Sequence, residues 1–209
     1  MARLLSVNVG RPQPVGLHRG RPVRSSIAKA PVSGRVRVEG VNVAGDDQAD
    51  RRVHGGPDKA VYAYAREDTA WWERELGREL GPGAFGENLT VEGVDVSGAL
   101  IGERWRLGTV ELEVCQPRFP CFKLGLRFGD PQMLKRFTRA GRPGAYLRIV
   151  REGEIGAGDA IEVTDRPDHG VTIALVARAV SIEPVLLEFA AAAPALPASL
   201  AEWMRERAA

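Results

Sequence analysis

The chain has 209 residues, 44% hydrophobic and 27% charged, the balance of an ordinary soluble globular protein with one sizeable domain. A net charge of +2 argues against a dedicated nucleic-acid binder, and no apolar run approaches the roughly 18 residues of a membrane span. Two cysteines are too few for a disulfide scaffold, and Met1 to Gly10 is too short and strand-like for a signal peptide, so a reducing cytoplasm is the expected compartment.

Most of residues 1 to 165 reads as short strands between Gly- and Pro-rich turns. Leu4 to Val9 opens as an apolar strand, and Arg35 to Glu39 alternates strictly, as a half-buried strand does. Ala60 to Ala65 and Asn88 to Val91 follow. Arg104 to Leu107 and Val110 to Val114 flank Gly108-Thr109 as two arms of a hairpin. Ala145 to Val150 and Ala160 to Val163 complete the set, and about eight strands with frequent glycine turns predict a closed or nearly closed β-barrel. Two helices interrupt the strands. Glu67 to Leu80 places Trp72, Leu76 and Leu80 at four-residue spacing, while Asp130-Pro131 has the order of an N-cap and first helical residue for a helix ending at Gly141. From 166 to 209 the alternation gives way to Ala- and Leu-rich sequence. Three short helices are expected there, Thr172 to Val180, Pro184 to Ala192 and Ala198 to Arg207, the last with Ser199 and Glu202 as a capping box. The predicted class is mainly β (α+β): a barrel domain over 1–165 and a three-helix segment over 166–209, docked on the barrel or on a second subunit.

The stretch that draws most chemical interest is Gln116-Pro117-Arg118-Phe119-Pro120-Cys121, where two prolines restrict the backbone around a guanidinium and a thiol. At an ordinary pKa near 8.5 only roughly 3% of a cysteine is thiolate at pH 7, and a neighbouring cation raises that fraction. Thiolate attacks electrophiles and binds soft metals; the plain alternative is a small buried hydrophobe. Cys115 has the parity of Glu111 and Glu113 and is expected to point away from the core unless the strand bulges, which makes it the weaker candidate. The long polar loop Gly45 to Lys59 offers Arg52, His54 and the pair Gly55-Gly56 for phosphate binding and close backbone approach. Lys29, one of four lysines among 29 basic residues, precedes Pro31 and a glycine turn, where it suits a phosphate or stands as a solvated turn residue. No His or Cys set has zinc spacing.

Taken in order, Lys29-Ala-Pro-Val-Ser-Gly34, Gly45 to Asp50, His54-Gly55-Gly56, Gly86-Glu87-Asn88-Leu89-Thr90, Pro117 to Cys121 and Gly141 to Arg148 resemble the MOSC domain, named for the carboxy-terminal part of molybdenum-cofactor sulfurases. The resemblance is specifically to its small bacterial branch linked to hydroxylaminopurine resistance, with an appended three-helix segment. It implies a mixed β-barrel that binds a molybdenum–pterin cofactor (molybdopterin), with Cys121 as metal ligand and Lys29, Arg52, His54 and Arg118 as cofactor-binding cations. It further implies catalytic roles for Cys121, His54 and Arg118 in reducing N-hydroxylated nucleobases to amines. Two cysteines hold no iron–sulfur cluster, so electrons are expected from a separate flavin or iron–sulfur protein.

A different class is a carrier that holds the cofactor, or a persulfide on Cys121, and hands it on. A metal-free cysteine hydrolase needs a base such as His54, and no orienting Asp adjoins it. Expected partners are a small N-hydroxylated substrate and a second copy in a homodimer, with no nucleic-acid polymer and no membrane. Glu87, Asn88 and Arg148 read as satisfying buried backbone rather than touching ligand.

Overall fold

The structure, a computed structural model, describes residues 1–50 and 55–209. Its strands are β1 (Arg3–Val9), β2 (Gln13–His18), β3 (Arg21–Ser25), β4 (Ala30–Pro31), β5 (Val36–Glu39), β6 (Asn42–Val43), β7 (Val61–Ala65), β8 (Leu89–Glu92), β9 (Arg104–Leu107), β10 (Val110–Pro117), β11 (Ala145–Arg151), β12 (Gly153–Ile155) and β13 (Ile161–Asp165). The helices are α1 (Arg66–Leu76), α2 (Phe122–Phe128), α3 (Met133–Ala140), α4 (Ile173–Ser181), α5 (Leu187–Ala191) and α6 (Ala198–Ala208). None of them is long and apolar enough to cross a membrane.

Eight strands form one sheet in the order β13-β9-β10-β11-β7-β8-β1-β4; β12-β5-β6 and the hairpin β2-β3 are separate small sheets. The mixed, mainly β class holds, but the ladder does not close into a barrel. The β13 edge meets the start of β1 only over a short stretch, the bridge Arg3↔Ala160 with backbone hydrogen bonds from Leu4 to Asp159, from Ile161 to Ala2 and from Gly158 to Leu4, while the far end of β1 pairs with β4.

Side-chain parity on β7 explains the layering. Every residue of this central strand is buried, so alternate side chains feed two different cores. Val61, Ala63 and Ala65 join the main apolar core, whereas Tyr62 and Tyr64 enter an aromatic one with Trp72, Phe85, Phe128 and Phe137. The first is capped by the carboxy-terminal helices, whose Ile173, Val176, Leu187, Ala190 and Met204 belong to the same cluster as the sheet. Helices α1, α2 and α3 cover the second through Trp72, Leu124, Met133 and Phe137. Tyr64 and Trp72 remain hydrogen-bonded there: the indole donates to the Tyr64 hydroxyl at 2.9 Å, and that hydroxyl donates to the Arg142 carbonyl at 3.0 Å.

Several local expectations shift. Helix α1 stops at Leu76, because Gly77 takes a left-handed φ of 62° and turns the chain; Leu80 packs against the aromatic core from beyond the helix. Asp130 caps a turn rather than the helix, accepting from the Gln132 amide at 2.8 Å, and α3 begins two residues later than Pro131. Thr172 is the N-cap of α4, accepting from the Leu175 amide at 3.1 Å. The capping box expected at Ser199 does not form, since Pro197 is already the cap and Ser199 lies inside the first turn. Helix α2 and the β2–β3 hairpin are additions. The hairpin turn Arg19-Gly20 has positive φ at both residues, 51° and 75°, which matches the twist of its strands without the usual Asn-Gly pair.

Candidate functional site

Strand β10 delivers the thiol loop. Its burial alternates from Val110 to Val114 and then stays buried through Cys115, Gln116 and Pro117. The pairing with β11 shifts register between Val114 and Gln116, so Cys115 is the surplus residue of a β-bulge. The expected outward parity of Cys115 is therefore corrected: it is fully buried, with its thiol against the Asp58 and Tyr146 carbonyls at 3.0 and 3.3 Å. Burial pushes this thiol far above its ordinary range. Cys121 is half-buried, both cysteines are free, and no disulfide joins them.

Beyond the bulge, Arg118, Phe119 and Cys121 line a cavity of about 90 Å³ that opens to solvent, roomy enough for several waters or the polar end of a ligand. Cys121 holds the position just before α2 in extended conformation. Arg118 is buried, with its guanidinium carbon 5.4 Å from the ring centres of both Tyr62 and Phe137. Its Nη1 has no hydrogen-bond partner among the described residues. A buried guanidinium N–H without an acceptor is costly, and an entering anion would satisfy it. Burial pushes the Tyr62 and Tyr146 phenols up, so neither wall of the cavity supplies a phenolate to neutralise that charge.

Lys29 also lines the cavity, and its side chain is buried rather than solvated. It pairs with Asp46, whose Oδ1 also accepts from the Gly10 backbone amide at 2.7 Å and whose Oδ2 accepts from the Asn88 side-chain Nδ2 at 2.9 Å. Burial pulls the Lys29 ammonium below its ordinary range, against the opposing pull of Asp46. Asp46 is thus a site residue that sequence reading missed. Lys59 and Lys123 were missed as well, and both line the same cavity. Three of the four lysines in this arginine-rich chain converge there, so the scarcity of lysine was the signal that would have found them.

Arg52 and His54, the other expected phosphate-binding residues, lie outside the described residues. Glu87 and Arg148 hold framework. Buried Glu87 accepts from the amides of Gly83 at 2.7 Å and Phe85 at 3.0 Å and from the Thr90 hydroxyl at 2.9 Å. Arg148 donates to Asp58, to Glu113 at 2.7 Å and to the Ala195 carbonyl at 2.9 Å, tying the sheet to the carboxy-terminal segment. Asn88 does both jobs. It lines the cavity and holds Asp46, while accepting from the Tyr62 amide at 3.1 Å and donating to the Asn8 carbonyl at 3.2 Å.

Residues 50–162 match the MOSC domain, more than half of the chain. The chain belongs to the MOSC domain family. Among its relatives is the uncharacterized protein YflK of Bacillus subtilis, 39% identical over 170 residues, which cover 81% of this chain and 76% of YflK. Protein YiiM of Escherichia coli is 34% identical over 70% of this chain and 66% of its own length. A protein of Gibberella moniliformis named reductase is 36% identical over 93% of this chain, which spans only 35% of that larger protein. The crystal structure of YiiM from Geobacillus stearothermophilus superposes with a TM-score of 0.81 at 31% identity, over 100% of both chains.

The two thiols of this MOSC protein are expected to differ sharply in native labelling. A maleimide or disulfide reagent should modify Cys121 alone, and Cys115 only after denaturation, since its sulfur is sealed and its proton strongly retained. Peptide mapping after labelling checks this, and modification of Cys115 in the folded protein would contradict the bulge geometry.

Proposed function

We propose that this MOSC protein binds a molybdenum–pterin cofactor through Cys121 and the surrounding cations, and reduces N-hydroxylated nucleobases and related compounds to amines. The observation that carries the reading is the shared cavity: a half-buried free thiol and a buried guanidinium whose Nη1 has no hydrogen-bond partner among the described residues. The donor set fits such a group. The free thiol of Cys121 would give a soft metal one protein sulfur, and the organic part of the cofactor would bring the remaining ligands. Arg118, Lys29 and Lys123 then face the anionic part of the organic ligand.

When bound, the cofactor supplies the two-electron chemistry of the reaction, in which R–NHOH, two electrons and two protons give R–NH2 and water. The protein's share is orientation and charge. Arg118 is fixed between Tyr62 and Phe137 and offers its N–H to an anion without rearrangement. The Lys29–Asp46 pair, framed by Gly10 and Asn88, keeps a proton-bearing ammonium inside the cavity rather than in water. The matching relative named reductase supports the redox class.

Expression in cells with and without a working molybdenum-cofactor pathway tests the reading. Protein from the first should carry molybdenum and reduce hydroxylaminopurine with a low-molecular-weight reductant; protein from the second should do neither. The partial exposure of Cys121 also suits a persulfide carrier, and persulfide on Cys121 with no turnover in either preparation would favour that role instead.

A further inference from the structure

Residues 1 to 38 contain no aspartate or glutamate, and neither does the stretch from Val114 to Gly129. The fold brings these two stretches together. On the β2–β3 hairpin, His18 stacks on Phe122 of α2 with ring centres 4.1 Å apart, and Val15 packs into the aromatic core beneath. The joined surface carries Arg11, Arg19, Arg21 and Arg24 from the hairpin region, all exposed, with exposed Arg127 and half-buried Lys123 from α2. No carboxylate within either stretch is available to neutralise them. Arginines away from this hairpin and helix behave differently, even within residues 1 to 38: Arg3, Arg35 and Arg37 pair with Glu92, Asp159 and Glu39, and Arg66, Arg104 and Arg106 pair with glutamates, whereas no ion pair forms at Arg11, Arg19, Arg21, Arg24 or Arg127 among the described residues. The net charge of the whole chain is only +2, so this is a local concentration of positive charge rather than a general one.

Its position matters as much as its sign. Ser25 at the end of β3 and Ser26 beyond it line the cavity, Lys123 lines it from the other element, and Phe122 directly follows Cys121. Leu17, 65% exposed, stands among the arginines and gives the surface an apolar contact point. Two electrons must reach this cavity on each turnover under the function proposed above, and the chain's two cysteines, one of them sealed, hold no cluster to relay them.

We propose that the arginine-rich face formed by the β2–β3 hairpin and α2 is the docking surface for an acidic electron-donor protein carrying a flavin or iron–sulfur group. This rests on the reductase reading, and it names the partner class and the place where that partner sits. Complementary charge steers such an encounter and speeds association, with a steep dependence on ionic strength. A small exposed apolar contact ringed by arginines suits a transient complex that must separate after each transfer.

The test uses the variant Arg11→Glu/Arg21→Glu/Arg127→Glu, three exposed side chains outside the cavity, with Arg151→Glu as a control outside the carboxylate-free stretches. Flavodoxin, a small acidic flavoprotein, serves as the probe, and its binding is measured directly at low and high salt. Wild type and the control should bind it with an affinity that falls as salt rises, and the triple variant should bind roughly tenfold or more weakly. In turnover, the triple variant should show a raised KM for reduced flavodoxin and an unchanged rate with a low-molecular-weight reductant. Equal flavodoxin binding by wild type and triple variant would overturn the proposal, as would binding of nucleic acid in preference to flavodoxin at this face. Loss of turnover with both reductants in wild type, with charge-dependent flavodoxin binding intact, would instead remove the reductase reading and leave the docking face standing.

Discussion

Replacing Cys121 with alanine is expected to abolish molybdenum retention and hydroxylaminopurine reduction while changing the free energy of unfolding by less than about 1 kcal/mol. The sulfur is half-buried at the rim of a cavity, and it makes no capping bond to the helix it precedes. Its removal therefore leaves no sealed void and no stranded donor. Cys115→Ala should do the reverse, keeping metal and turnover while losing stability, because that sulfur fills a bulge and contacts two carbonyls. Metal analysis, turnover and urea unfolding of both variants separate the roles. Molybdenum retained in full by Cys121→Ala would remove this residue from metal binding.

A larger loss of stability is expected at Glu87. Three donors converge on its buried carboxylate, two of them backbone amides. Alanine strands all three inside the protein at a cost of about 3 kcal/mol or more. Glutamine, nearly identical in shape, is also expected to destabilise strongly. Whichever way its amide points, an N–H faces another N–H at Gly83 or at Phe85. Burial pushes the Glu87 carboxyl upward, and the hydrogen bonds from its neighbours oppose that shift. The damage should reach the cavity as well. Gly83 lies so close to the Lys29 carbonyl that a Cβ would come within 2.7 Å of that oxygen, so this loop presses on the segment that carries Lys29. Thermal unfolding of Glu87→Gln and Glu87→Ala checks the prediction; a midpoint for either within a degree of wild type would refute it.

Strands with strict alternation were legible because water and core impose opposite demands on successive residues. Val36 and Val38 are buried while Arg37 and Glu39 are exposed, as their spacing predicts. The β2–β3 hairpin was not legible for the converse reason. It is largely exposed on both faces, carries Pro14 and Pro22, and turns on Arg-Gly, so neither period nor turn chemistry marked it. Helix α2 was hidden by its brevity, seven residues between two strong punctuations. At the site, the thiol loop and Arg118 were legible from chemistry concentrated in six consecutive residues. Asp46 was not, because its importance lies in a buried partnership with Lys29 across 17 positions and with Asn88 across 42. Closure of the sheet was over-read: the count of strands suggested a barrel, but pairing is decided by which edges find partners, and β4 takes the far end of β1.

The extra residue in β10 constrains this stretch by length rather than by composition. Downstream of Val114 the direction each side chain faces depends on one uncompensated position. Deleting any single residue from Cys115 to Pro117 would restore plain alternation and swing Arg118 and Cys121 toward the opposite side of the sheet. Chemical replacements at Cys115 are expected to leave the geometry of the Cys121 loop in place, whereas a one-codon loss there should dismantle it while every side chain that lines the cavity is still present.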